Sequence, residues 1–179
     1  MSYFIIIFLT LLVTTRRDIM YENITGVSAL PQYRALVVIY ILVCTFYFMY
    51  QMFSHFRHLH TYPRYVPYLI FLTALFMIMG AFSPYDNQLN FMSQVHVWCS
   101  MLASCLFLII LQIYTYRLSI ESPDIYLHTH SIFHVGLQML AILFLVCGRV
   151  NGLIELLYVV MICTYLFLID RHQKNKLGK

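Results

Sequence analysis

Four side chains capable of acid–base or ligand chemistry stand out in an otherwise apolar chain: Asp86, His96, Arg149 and Glu155. Asp86 is the only acidic residue between Arg64 and Arg117, and His96 follows it where an apolar run resumes. Glu155 sits about one helical turn into the last apolar run, just after Arg149 and the turn Val150-Asn151-Gly152. Two carboxylates and an imidazole lining one water-filled pocket would suit general acid–base chemistry, a divalent metal or a polar headgroup. The competing reading is local: Glu155 pairs with Arg149 at the membrane interface, and Asp86 caps its turn or the next helix. A bare carboxylate within a span costs some kcal/mol, so Glu155 must be protonated, paired or facing water.

A second set is rich in imidazole. His55, His58 and His60 fall in or beside one polar stretch, and His128, His130 and His134 in another, near Arg117. His58, His128, His130 and His134 are the candidates for a transition-metal site. Haem between helices needs paired histidines deep within facing spans, and only His134 lies as much as a turn inside. The expectation is therefore no haem, no stoichiometric metal and no other cofactor, with the histidines facing anionic headgroups.

The elements that must position these residues follow from composition. The chain has 179 residues, 61% apolar and 10% charged, where a soluble domain carries roughly a quarter charged residues. In a bilayer only helices and closed barrels satisfy every backbone N–H and C=O. The apolar runs are continuous rather than alternating, which excludes a barrel. The expected fold is all-α: a polytopic transmembrane bundle of about six helices, at about 2–20, 35–53, 66–82, 94–116, 131–147 and 153–169, forming a single domain over 1–179.

Ser83-Pro84 ends the third of these helices, because proline cannot continue the backbone ladder. The short connection from Gly148 to Gly152 makes the last two helices antiparallel neighbours. The first run lacks a basic leader and a small-residue cleavage site, so it reads as a helix rather than a secretory signal. Asn23-Ile24-Thr25 is an N-glycosylation sequon in the first loop. The 15 Tyr and 14 Phe include many Tyr near helix ends, as in an interfacial aromatic belt. Five cysteines without CxxC spacing read as small packing residues.

Charge sets the orientation. With the first helix starting inside, the inner loops hold Arg57, Arg64, Arg117, Arg171, Lys174, Lys176 and Lys179, against Arg16, Arg17, Arg34 and Arg149 outside. Seven against four places both termini in the cytoplasm. The protein is then a multi-pass integral membrane protein, of the plasma membrane if bacterial and of an endomembrane if eukaryotic. The net charge of +4 is dispersed, with no long basic run, which gives nucleic-acid binding no support.

Around the central turn, Gly80, Phe82, Pro84, Asp86, His96, Ala103 and Phe107, with Thr25, Gly26 and Pro31 more loosely, form a pattern that resembles the Frag/DRAM/Sfk superfamily of six-helix membrane proteins and its bacterial relatives. The resemblance implies six helices and, from eukaryotic members, an association with lipid-anchor remodelling, lipid distribution or autophagy. Three function classes stay open. The first is a non-enzymatic protein that recognises membrane lipids or a partner subunit through an outward-facing polar pocket. The second is a membrane-embedded enzyme or transporter using Asp86, His96 and Glu155. The third is a histidine-based metal or haem carrier. The absence of HExxH, GxSxG, a phosphate loop or a Gly-interrupted helix lowers the second class.

Overall fold

The computed structural model describes residues 2–60, 62–85 and 90–177, and the chain is helical almost throughout. Its elements are α1 (Ser2–Thr14), α2 (Ile24–Ser28), α3 (Pro31–Arg57), α4 (Val66–Phe82), α5 (Phe91–Glu121), α6 (Pro123–Cys147) and α7 (Gly152–Leu177). Four of these, α3, α5, α6 and α7, are long and apolar enough to cross a membrane, whereas α1 and α4 are shorter apolar helices. At 1.5 Å per residue the 17 residues of α4 extend about 25 Å, less than a typical hydrocarbon core of about 30 Å.

Several helices outrun their expected ends, for local reasons. Pro31 and Pro123 occupy the first turns of α3 and α6, where the missing N–H is harmless. Asp124 adds a favourable charge to the first turn of α6. The stretch 119–130, expected as a loop, is therefore helix interrupted only at Ser122. Asn90 starts α5 earlier than expected, its Oδ1 accepting the Ser93 N–H at 2.8 Å. α1 ends sooner than expected. The Thr14 and Thr15 hydroxyls both bond back to the Leu11 carbonyl, and the Asp18 carboxylate then accepts the Met20 N–H at 2.9 Å to turn the chain.

The chain divides into two compact units, residues 1–27 with 122–179, and residues 28–121. In the first, α7 is the central helix, packed on α1 and α6. Its Ile162, Cys163, Tyr165, Leu166 and Ile169 are fully buried, and Phe133 of α6 meets Tyr165 at 5.2 Å between ring centroids. α1 runs antiparallel to α7: the Tyr3 hydroxyl donates to Asp170 Oδ2 at 2.7 Å at one end, and Leu153 N–H donates to the Ile19 carbonyl at 3.1 Å at the other. In the second unit α4 packs on α3 and on α5, and α3 also meets α5 through Phe48 against Phe107 and Phe56 against Tyr114.

Outward faces are apolar too. Leu145 and Val146 are each 78% exposed and Tyr68 76%, and only 11% of the apolar stretch of α6 is buried. A soluble protein does not present contiguous apolar surface on this scale. Together with the four helices long enough to span, these faces are compatible with an integral membrane protein. Cys44, Cys99 and Cys163 are buried thiols, while Cys105 is exposed, and all five cysteines are free.

Candidate functional site

The polar residues at the start of α7 form a clamp on the chain that leaves α1. Gly148 ends α6 in the left-handed conformation that glycine tolerates best, with φ of 66°, and its N–H donates to the Phe144 carbonyl. Asn151 then caps α7: its Oδ1 accepts the Ile154 N–H at 3.0 Å, while its Nδ2 donates to the Met20 carbonyl at 3.1 Å. Gly152 N–H donates to the Glu22 carbonyl at 2.7 Å. A Cβ at Gly152 would lie 3.1 Å from that same carbonyl oxygen, so the close approach favours glycine.

Glu155 completes the clamp. Its Oε2 accepts the Ile24 N–H at 2.6 Å. Ile24 is the first residue of α2, whose opening N–H groups have no partners within the helix. Asn23 Oδ1 takes a second of these donors, from Gly26, at 2.8 Å. Glu155 is thus a cap supplied from a distant part of the sequence, and its carboxylate is half-buried on a backbone donor. Arg149 does not pair with it. The guanidinium lies over the Tyr21 ring at 5.3 Å, and the ion pair at this end of the unit joins Arg17 and Glu22 at 3.7 Å.

His96 plays a similar part in the other unit. Its Nδ1 is 2.8 Å from the Gly80 carbonyl and 3.1 Å from that of Ser83, at the end of α4. Both partners are acceptors, so Nδ1 carries the hydrogen and ties α5 to the last turn of α4. The ring is 4% exposed and sits 5.6 Å from that of Tyr85. Gly80 lets the helices meet, since a Cβ there would lie 3.1 Å from Ser100 Oγ.

Of the four residues singled out in the sequence, Arg149 and Glu155 share one end of one unit, His96 belongs to the other unit, and Asp86 lies outside the described residues. Each described member has partners within its own unit. Among the described residues no group of three or more His, Cys, Asp or Glu is placed to hold a metal ion. His128 and His130 direct Nδ1 to the carbonyls of Asp124 and Tyr126 on their own helix, at 2.6 and 2.9 Å.

A concavity among the described residues lies elsewhere, along the open side of α6 and α7. It is a groove of about 440 Å³ lined by Ser131, Ile132, Val135, Gly136, Met139, Leu140 and Leu143 of α6 and Leu157, Val160, Met161 and Thr164 of α7. Two hydroxyls apart, its side chains are apolar. Gly136 lets the helices come together here, because a Cβ would collide with the Met161 side chain. Beyond the Ser131–Thr164 end, the His128 and His172 rings approach to 5.1 Å. Reasoning from sequence missed the groove and Asn151. Asn151 had a local signal, a favoured capping residue directly before a helix start. The groove depends on which faces of two uniformly apolar helices meet. No family model, no curated protein and no solved structure matches this chain.

Proposed function

We propose that the protein is a non-enzymatic multi-pass membrane protein that binds membrane lipid, with one acyl chain lying in the α6–α7 groove. The observation that carries this reading is the groove itself: continuous, almost wholly apolar and open along a helix face that is otherwise exposed hydrocarbon. Such a groove offers an alkyl chain apolar contact along both helices. It offers a polar substrate almost nothing, and the capping roles of His96 and Glu155 weigh against an enzyme or transporter built on those residues. The superfamily resemblance around Gly80–Phe107 is consonant with lipid association, and the His96-to-Gly80 bond gives two of its residues a physical reason to occur together.

The topology proposed with it has six helices and both chain ends cytoplasmic. Support comes from the pairing of Tyr3 with Asp170 and of Ile19 with Leu153, which runs residues 3–19 alongside residues 153–170 of α7, about 25 Å. The seven-to-four excess of Lys and Arg supports a cytoplasmic location for the Asp170 end.

Filling the groove tests the lipid reading. Purified in mild detergent, the wild-type chain should retain phospholipid that survives washing, and Val160→Trp should lose it while keeping its helix content. Equal retention by both would remove the acyl-chain reading. A single cysteine at Lys174, labelled from outside intact cells by an impermeant maleimide, would overturn the orientation.

A further inference from the structure

Resting on the lipid reading, we infer that the groove selects an anionic phospholipid, and that Arg171, with His128 and His172, receives its phosphate. The groove cannot select by its walls alone. In a bilayer an alkyl chain finds hydrocarbon everywhere, so an apolar channel gains little free energy over the surrounding lipid. Discrimination has to come from a headgroup end, and the Ser131–Thr164 end of this groove is where Arg171, His128 and His172 lie.

Register places that charge. Arg171 follows Thr164 by seven residues, two turns of α7, and so returns to the groove face. His128 precedes Ser131 and Ile132 by three and four residues on α6, which puts it on the groove face one turn farther out. The His128 and His172 rings meet at 5.1 Å across the two helices. His128 Nδ1 donates to the Asp124 carbonyl, which leaves Nε2 as the ring's other polar atom. Arg171 is exposed and, among the described residues, makes no ion pair.

Two acidic groups lie nearby. Asp170 is turned to α1 by the Tyr3 hydroxyl, and Asp124 sits a further turn out, in the first turn of α6. From Asp170 onward the sequence adds Arg171, Lys174, Lys176 and Lys179 against that one carboxylate. A guanidinium fork suits phosphate oxygens, and its charge does not depend on pH in the physiological range. The opposite end of the groove, toward Leu143 and Leu157, leads to the clamp, where Arg149 is engaged with Tyr21.

The test is native mass spectrometry of the full chain released from nanodiscs that mix phosphatidylglycerol with phosphatidylcholine. Wild type should carry phosphatidylglycerol in preference. Arg171→Ala should lower the ratio of the two bound lipids about fivefold, the effect of one basic residue at an anionic surface, and His128→Ala should lower it further. Arg149→Ala should leave it unchanged. An unchanged ratio in the Arg171→Ala, His128→Ala double variant, or an equal fall in Arg149→Ala, overturns the headgroup assignment. Val160→Trp separates the two levels. If it strips both lipids while the double variant leaves the ratio intact, the groove binds lipid without selecting it. If it strips neither, the groove reading fails and this assignment with it.

Discussion

Replacing Asn151 by Ala should be among the most damaging single changes in the unit formed by α1, α2, α6 and α7. The side chain is 1% exposed and makes two bonds, one to the Ile154 N–H within α7 and one to the Met20 carbonyl across the clamp. Loss of an N-cap costs about 1 kcal/mol. Loss of the bond to the part-buried Met20 carbonyl adds roughly 0.5–1.5 kcal/mol. The expected total is about 1.5–2.5 kcal/mol, read from reversible unfolding in mixed micelles by titration with a denaturing detergent. Asn151→Asp separates the two contributions, because it keeps the cap oxygen and sets an acceptor against the Met20 carbonyl. It should be at least as destabilising as alanine despite the intact cap. If Asn151→Ala unfolds within about 0.5 kcal/mol of wild type, a threshold at the low end of capping effects, the clamp does not hold the α1–α2 segment to α7.

The same geometry ranks three other substitutions. Glu155→Gln keeps an oxygen for the Ile24 N–H and should cost under about 1 kcal/mol, whereas Glu155→Ala strands that donor and should cost roughly 1–3 kcal/mol, in the same unfolding assay. Arg149→Ala removes a cation–π contact at an exposed site and should cost only about 0.5–1 kcal/mol; a loss of several kcal/mol would instead indicate a buried ion pair with Glu155. His96→Ala should destabilise the α3–α5 unit by roughly 1–3 kcal/mol through the freed carbonyls of Gly80 and Ser83, and His96→Asn, which can place an N–H near the position of Nδ1, should recover part of it.

How much of this was legible in the sequence depends on the range of the interaction. Composition and unbroken apolar runs carry the all-helical class, because the bilayer leaves the backbone few alternatives. The end of α4 at Phe82 was readable from Ser83-Pro84, a purely local stop. The ends of α5 and α6 were not. A polar, proline-containing stretch reads as a loop unless the proline falls in a first turn, as Pro123 does. His96 and Glu155 were visible as polar residues that needed partners. Their partners were not, since the Gly80 carbonyl and the Ile24 N–H are backbone groups, and every residue carries those. The α6–α7 groove left the faintest trace, because Gly136 opposite Met161 has meaning only once the helix faces are matched. Ion pairing between Arg149 and Glu155 was suggested by proximity along the chain. Instead, the clamp takes the carboxylate and Tyr21 the guanidinium.

Photo-crosslinking in a bilayer with a phospholipid carrying a diazirine in its acyl chain, followed by peptide mapping, would locate the bound chain. Adducts should concentrate on the groove-lining side chains between Ser131 and Leu143 of α6 and between Leu157 and Thr164 of α7, well above those at Leu145 and Val146, which are more exposed but lie outside the groove. Labelling that follows exposure alone, with Leu145 and Val146 modified as heavily as Val135 and Val160, would contradict the groove reading.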